Sequence, residues 1–189
     1  IITVNNRVIE KKDKNIYLLL NKPKGYLCTR NDPFGRPTIY DLLKDIKVRI
    51  NYAGRLDYLS EGLVFLSNDG DCIYKLTHPK KKILKTYMVK VKGFPEKKDI
   101  EKLEHGIPLT ANFTTSPCKV TLIKKNKRSS ILKIVIHEGK KRQIRRMLSY
   151  INYQVLELKR IKIADLTLDE LKTGQYRYLT PDEIRKIKK

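Results

Sequence analysis

The chain has 189 residues, and its 42 lysines and arginines against 20 aspartates and glutamates give a formal net charge of +22. This excess is larger than solubility requires and indicates a polyanionic partner, with nucleic acid as the first candidate. No apolar run approaches the roughly 20 residues of a membrane span, and no signal-peptide pattern occurs, so we expect a cytoplasmic protein without a membrane partner. The scattered cysteines and histidines argue against a disulfide framework and against a bound metal.

The first predicted strand covers residues 16–20, Ile-Tyr-Leu-Leu-Leu. A turn rich in breakers follows at residues 21–25, Asn-Lys-Pro-Lys-Gly, which is either a plain turn or one whose lysines reach RNA phosphates. After a loop at residues 32–37, Thr38 and Asp41 have the spacing of a helix cap. Apolar residues then recur with helical spacing as far as Ile46, so the sequence predicts an amphipathic helix there.

The central stretch, residues 52–71, combines a short apolar run with an unusual loop. Residues 63–66, Leu-Val-Phe-Leu, predict a buried strand that ends at the turn signal Asn-Asp-Gly. Before it, Arg55 and Asp57 place one carboxylate beside an arginine in a strongly basic chain. A carboxylate among cations is available as a nucleophile or a base. The alternative is structural, with Asp57 capping a turn or pairing with Arg55.

The next strand, residues 85–91, alternates as a half-buried strand should, so Tyr87, Val89 and Val91 share a face. From the pattern alone Tyr87 is either a core aromatic or a platform for a base. A helix is predicted between Pro95 and Gly106. Two further strands are predicted at residues 119–123 and 130–136, joined by a turn.

Residues 137–147, HEGKKRQIRRM, precede and begin a predicted helix whose apolar face runs from Ile144 to Ile151. Arg142 and Arg146 lie opposite that face, where they suit phosphates. Arg145 lies at its margin, which suits a half-buried arginine that holds a carboxylate. A basic helix face with no preferred partner explains the first two arginines nearly as well.

The remaining predicted elements are strands at residues 158–163 and 176–180 and a closing helix that Thr180 and Glu183 cap. Strands predominate, helices fall between them at irregular spacing, and no internal repeat interrupts the order. We therefore predict an α+β fold with a largely antiparallel sheet.

Five stretches together resemble the RsuA-type pseudouridine synthases. GRLDYLSEGLVFLSNDGD is similar to the catalytic-loop signature of that family, and LNKPKGYLCT, KTYMVKVKG, EGKKRQIRRM and LKRIKI are similar to its other motifs. The sequence departs from the family pattern at Ser60, where threonine is common, and at residues 164–166, where Gly-Pro-Leu is common.

The resemblance implies the pseudouridine-synthase fold, a mixed, largely antiparallel sheet in two lobes flanked by short helices, with a central catalytic cleft. It implies conversion of a specific uridine of ribosomal RNA to pseudouridine, and we expect a large-subunit target. It places the catalytic carboxylate on Asp57, a tyrosine that meets the base on Tyr87, and a basic residue paired to the carboxylate on Arg145. It implies no cofactor and no metal.

We expect a monomer in which residues 1–15 are a linker remnant and residues 16–189 form the catalytic domain, without the small alpha-L RNA-binding domain that precedes this region in the family. RNA contacts are expected from six basic residues: Lys22, Lys24, Arg55, Arg142, Arg146 and Arg160. Cytoplasmic location, or the equivalent compartment holding bacterial-type ribosomes, follows from the same expectation.

Two other functions stay compatible with the sequence. One is a non-catalytic RNA-binding or ribosome-assembly module, for which the charge alone is sufficient. The other is a nuclease or an N-glycosylase that uses Asp57 and Arg145 differently. Within the pseudouridine synthase interpretation, Asp57 either attacks the sugar or removes a sugar proton to give a glycal.

Overall fold

The structure is a computed structural model that describes residues 2–4, 7–9 and 14–188, with side chains from residue 14 onward. Part of the predicted linker, residues 1–15, lies outside the described residues. The strands are β1 (Ile2–Val4), β2 (Arg7–Ile9), β3 (Tyr17–Lys22), β4 (Asn51–Ala53), β5 (Glu61–Ser67), β6 (Lys85–Lys92), β7 (Pro108–Thr110), β8 (Phe113–Thr114), β9 (Lys119–Lys125), β10 (Ser129–Ile136), β11 (Val155–Ile163), β12 (Leu166–Thr167) and β13 (Tyr176–Tyr178).

Four α-helices lie between the strands: α1 (Gly70–Thr77), α2 (Lys97–His105), α3 (Gln143–Tyr150) and α4 (Pro181–Lys188). The start of α4 is the capping box that the sequence predicts, since Glu183 accepts from the backbone N–H of Thr180 and the Thr180 hydroxyl accepts from that of Glu183.

One predicted helix is wrong in extent. The segment that was expected to be helical as far as Ile46 forms only a 3-10 turn, Ile39–Leu42. The Asp41 carboxylate does bond back to the Thr38 N–H at 2.7 Å, as predicted. The helix does not continue because the following residues alternate β-branched side chains with charged ones, from Ile46 through Val48 to Ile50, and β-branched residues are poor helix formers.

The described strands form a nine-stranded main sheet and two small hairpins, β1–β2 and β7–β8. The main sheet runs β13-β3-β5-β11-β6-β10-β9, with β4 paired to β5 and β12 paired to β11. Every pairing in it is antiparallel except the short parallel contact of β5 with β11. This contact joins the two halves of the sheet.

Both faces of the sheet are covered, which follows from the period of two along each strand. On β3, Leu18 and Leu20 point into the larger core, which also contains buried side chains of α2 and α3. Tyr17 and Leu19 point into the smaller core on the opposite face, with side chains of α1 and α4. The sheet is therefore the middle layer of a three-layer molecule.

The junction between the two halves depends on Gly62. Its φ of 108° is a conformation that L side chains rarely adopt, and a Cβ built there would lie 2.1 Å from the backbone oxygen of Arg160. A side chain at this position would push β11 away from β5. The loop that contains Asp57 enters β5 just before this glycine, so the same contact sets the position of the loop.

We predict that Gly62→Ala lowers the free energy of unfolding by more than about 3 kcal/mol, because it combines backbone strain with a steric clash. Gly70→Ala is the matched control, since a Cβ on Gly70 meets no atom within 4 Å, and it should change stability by less than about 1 kcal/mol. Urea denaturation followed by circular dichroism measures both. Equal stabilities for the two variants would contradict the close approach of β5 and β11.

Candidate active site

The predicted catalytic carboxylate lies on the loop that joins β4 to β5. Asp57 is half-buried at a turn closed by the backbone N–H of Ser60, which donates to the Asp57 carbonyl at 2.9 Å. Among the described residues, no group donates a hydrogen bond to the Asp57 carboxylate and no cation lies within 4.0 Å of it. The predicted structural alternative, a pair with Arg55, is therefore not formed. The carboxylate is left free to meet a substrate.

A pocket of about 140 Å³ opens beside this carboxylate. Its walls come from three parts of the chain: residues 55–57 and Ser60 of the loop, Tyr87, Ile136 and Leu158 of the sheet, and residues 139–144 at the start of α3. The volume is below the roughly 300–1,000 Å³ of typical small-molecule sites, which suits one flat ring. Apolar side chains form much of the wall, while Lys140, Lys141 and Arg142 add positive charge.

Tyr87 lies in the same pocket as Asp57, although about 30 residues separate them in the sequence. Its ring is 7% exposed and, with Val89 and Val91, it faces the larger core, as the strand alternation predicts. Within the described residues its hydroxyl makes no hydrogen bond. The hydroxyl and one edge of the ring are thus available to a bound base.

Lys22 is not at the surface, where the predicted RNA contact would require it to be. Its side chain is fully buried, and its ammonium donates to the carbonyls of Pro23 at 2.9 Å, Ser60 at 2.7 Å and Asp57 at 3.3 Å. Burial lowers the pKa of Lys22, and the negative charges of neighbouring groups, Asp57 among them, act in the opposite direction. Lys22 holds the Asp57 loop from the interior of the protein, away from the surface that a phosphate would approach.

Arg160 requires the same correction. It is 1% exposed, and its guanidinium donates to the carbonyl of Leu63 at 2.7 Å and to that of Gly54 at 3.3 Å. Those carbonyls lie on either side of the Asp57 loop. Arg160 therefore ties the two ends of the loop together from within the protein and is not exposed on the surface that RNA would meet. The alternation along β11 could have predicted the burial of Arg160, since Leu158 and Arg160 share the inward face of that strand.

Arg145 is half-buried at the margin of α3, as predicted, but it does not form the expected pair with Asp57. Its guanidinium donates to the carbonyl of Leu59 at 3.0 Å and to that of Val155 at 3.4 Å. The charged groups of Arg145 and Asp57 are more than 4.0 Å apart. Desolvation lowers the pKa of Arg145, with a further contribution from Arg142, while attraction to Asp57 opposes both. Arg145 is a third cation that holds the loop.

The other four expected RNA contacts divide into two pairs. Arg55 and Arg142 are exposed and line the pocket, where a phosphate can reach them. Lys24 is exposed but lies 3.3 Å from the Glu61 carboxylate, and the half-buried Arg146 donates to the carbonyl of Leu109 at 2.7 Å. These last two side chains already have protein partners.

The segment before α3, residues 137–142, is held in place by contacts that the sequence did not predict. The Glu138 carboxylate accepts from the Ser116 hydroxyl at 2.6 Å and from the Gln143 amide at 2.7 Å. Lys85 donates to the carbonyl of His137 at 2.8 Å, and burial lowers the pKa of Lys85 to about 8. These contacts bring Lys140 and Lys141 to the pocket. Neither lysine is among the RNA contacts expected from the sequence.

No described helix is long and apolar enough to cross a membrane. Within residues 14–188, no three or more histidine, cysteine, aspartate or glutamate side chains are grouped in a way that would hold a metal ion.

Residues 16–150 match the sequence profile of the family described as RNA pseudouridylate synthase. The chain belongs to this family. It is 44% identical over 189 residues to ribosomal large subunit pseudouridine synthase B of Bacillus subtilis, and the alignment covers 99% of this chain and 77% of that protein. It is 36% identical to ribosomal small subunit pseudouridine synthase A of Vibrio vulnificus, with coverage of 90% and 73%.

A solved structure titled as a pseudouridylate synthase has a TM-score of 0.84 with this chain at 34% sequence identity, covering 94% of this chain and 75% of that one. The predicted family, α+β fold and pseudouridine synthase activity are confirmed by these matches. The roles of the individual pocket side chains stay predictions, and they follow from the geometry above.

We predict that Lys22→Met lowers the free energy of unfolding by about 2–4 kcal/mol, because three buried or partly buried carbonyls lose their donor and an apolar side chain cannot replace it. Lys44→Met removes an exposed lysine and is the matched control, with an expected change of less than about 0.5 kcal/mol. Urea denaturation of both variants measures the difference. A Lys22→Met variant as stable as the control would mean that the ammonium does not hold the loop.

Proposed function

We propose that the chain converts a uridine of ribosomal RNA, in the large subunit, to pseudouridine, with Asp57 as the catalytic carboxylate. The observation that carries this proposal is the pocket in which the Asp57 carboxylate, without a partner among the described residues, lies together with Tyr87. The large-subunit target is supported by the 44% identity to the Bacillus subtilis enzyme, whose name specifies that subunit. The protein acts as a monomer in the compartment that holds the ribosomes.

The reaction breaks the bond between carbon 1′ of the ribose and nitrogen 1 of uracil, turns the base, and joins carbon 5 of the same base to the same carbon 1′. Carbon 5 then loses its proton and nitrogen 1 gains one, so the product is an isomer of the substrate. A carboxylate beside carbon 1′ stabilises the positive charge that develops there when the base leaves. Asp57 has the position for this role.

One carboxylate is sufficient because uracil leaves as a stabilised anion and does not need a second acid to protonate it. Asp57 is the single acidic residue that lines the described pocket, which distinguishes this site from the paired carboxylates of glycosidases. Asp57 either adds to carbon 1′ to form an ester, which the rotated base displaces, or takes the proton on carbon 2′ to give a glycal, to which the base adds as the proton returns.

We assign Tyr87 to contact with the uracil base. Its ring offers one face or edge for stacking, and its hydroxyl, without a partner among the described residues, is placed to relay the proton that carbon 5 releases. The apolar side chains in the pocket wall, Leu56, Ile136, Ile144 and Leu158, limit the contact of the detached base with water, which favours recombination over release of free uracil.

The target nucleotide must leave its helix or loop to enter the pocket, at a cost of a few kcal/mol. Arg55, Lys140, Lys141 and Arg142 line the pocket and offset that cost by binding the flanking phosphates. In this arrangement Arg145 acts through the loop and not by direct contact with the nucleotide. We assign residues 16–189 to the catalytic unit and residues 1–15 to the segment that leads into it.

We predict that Asp57→Asn lowers pseudouridine formation at least 10³-fold, because the amide keeps the shape of the side chain but loses its charge. RNA affinity should stay within about threefold, since Asp57 makes no phosphate contact. The substrate is ribosomal RNA from cells that lack this protein, and mass spectrometry maps the pseudouridines before and after treatment. Asp71→Asn, which removes an exposed carboxylate from the first turn of α1, is the matched control.

The same assay separates the other functions. Free uracil or cleaved RNA would indicate a glycosylase or a nuclease, and RNA binding without any product would indicate a non-catalytic module. Pseudouridine formed by Asp57→Asn at the normal rate would contradict the role of this carboxylate.

A further inference from the structure

The loop between residues 32 and 37 presents an aromatic ring to solvent. Phe34 is 80% exposed, which is the highest value among the large apolar side chains of the described residues. A single exposed apolar residue is common on protein surfaces and does not by itself indicate a site. The two features that distinguish Phe34 are the rigidity of its loop and the position of that loop.

The loop is organised around the carboxylate of Asp32. This carboxylate accepts hydrogen bonds from the backbone N–H groups of Phe34 at 3.2 Å and Arg36 at 3.0 Å, and from the Arg36 side chain at 2.6 Å and 3.1 Å. The Asp32 side chain is only 5% exposed, and the bond from Arg36 is the main reason that its pKa falls to about 2. Gly35 supplies the positive φ of 68° that the turn requires.

Arg36 also lies against the ring that the loop presents, with its guanidinium carbon 5.2 Å from the centre of the Phe34 ring. The cation therefore lies over one face of the ring, and a base would stack on the other face. An arginine beside an aromatic ring is the combination that single-stranded RNA-binding surfaces use, because a base stacks on the plane while the charge attracts its phosphate.

The loop is attached to the Asp57 loop through residues 25–28. Leu27 donates to the carbonyl of Pro37 at 2.9 Å, and Gly25 donates to that of Tyr58 at 2.9 Å. The backbone N–H of Leu56 donates to the sulfur of Cys28 at 3.5 Å. The segment therefore bonds to the Phe34 loop on one side and to the residues flanking Asp57 on the other. The partly exposed Tyr58 belongs to the Asp57 loop and lies near Arg36. The pKa of Arg36 is raised mainly by its bond to Asp32 and, to a smaller extent, by the Tyr58 hydroxyl.

We propose that Phe34, supported by Arg36, is a stacking site for an unpaired base of the substrate RNA next to the target uridine. The proposal rests on the proposed function only in taking RNA as the ligand. RNA is favoured over an apolar protein partner because the chain carries a net charge of +22, a guanidinium lies against the ring, and the only carboxylate of the loop is occupied by Arg36. Every base has a face that stacks, so the site selects an unpaired nucleotide and not a particular sequence.

The test uses an RNA hairpin that contains the uridine left unmodified in cells that lack this protein, with 2-aminopurine at the adjacent position on either side. The Asp57→Asn variant binds it without turnover, and stacking on Phe34 should quench the fluorescence of one of the two probes. Adding Phe34→Ala should abolish that quenching, whereas Phe34→Trp should preserve it. Tyr178→Ala, which removes another exposed aromatic ring from the edge strand β13, is the matched control and should leave the quenching unchanged.

In the active enzyme, Phe34→Ala should raise KM about 5- to 150-fold, the range expected for loss of one stacked base, with kcat changed less than threefold because stacking is uniform binding. Phe34→Trp should restore KM, and the melting temperature of each variant should match that of the parent. Unchanged quenching and KM in Phe34→Ala would overturn the proposal, and so would equal defects in Phe34→Ala and Phe34→Trp.

The fluorescence readout does not require catalysis, so it tests the stacking site independently of the proposed function. If the parent enzyme formed no pseudouridine but the quenching still depended on Phe34, the proposed function would fail while the stacking site stood. If pseudouridine formed normally with no quenching that depends on Phe34, the stacking site alone would be wrong.

Discussion

The structure of the active site depends on cations that bind backbone carbonyls and not carboxylates. Lys22 is fully buried, and three carbonyls surround its ammonium. Burial of an unpaired charge costs several kcal/mol unless hydrogen bonds compensate for it. Here two of the three acceptors are carbonyls of the Asp57 loop itself, so the loop can depart from this position only by leaving a buried charge partly unsatisfied. Arg160 and Arg145 act on the same loop from two further directions.

This arrangement fixes the Asp57 carboxylate without occupying it. A direct salt bridge would hold Asp57 equally well, but the substrate would then have to displace a strong partner. Because the cations hold the backbone, the side chain stays open to the ribose while their positive charge still acts on the pocket. In the proposed reaction the same field favours the uracil anion that forms when the glycosidic bond breaks, because the charges are already in place before the reaction begins.

The sequence was a good guide where local pattern decides the structure. The period-two alternation placed Tyr87 on a buried face, and the apolar run of β5 placed Asp57 on the loop before it. It was a poor guide to Lys22 and Arg160, which were expected at the surface because they are charged. Their inward direction was implied by Leu18 and Leu20 on β3 and by Leu158 on β11. Apart from the adjacent Pro23 carbonyl, however, their partners are carbonyls 35 or more residues away, and only the folded chain brings them together.

The central claim is that the pocket beside Asp57 holds the target uridine during the reaction. A crystal structure of the Asp57→Asn variant with an RNA hairpin that contains the mapped uridine tests it most directly. We expect the uracil ring against Tyr87 and carbon 1′ of its ribose about 3–4 Å from the side chain of residue 57, the distance of a reactive geometry. A uridine that stays stacked in its helix, or one bound with its ribose turned away from residue 57, would contradict the account.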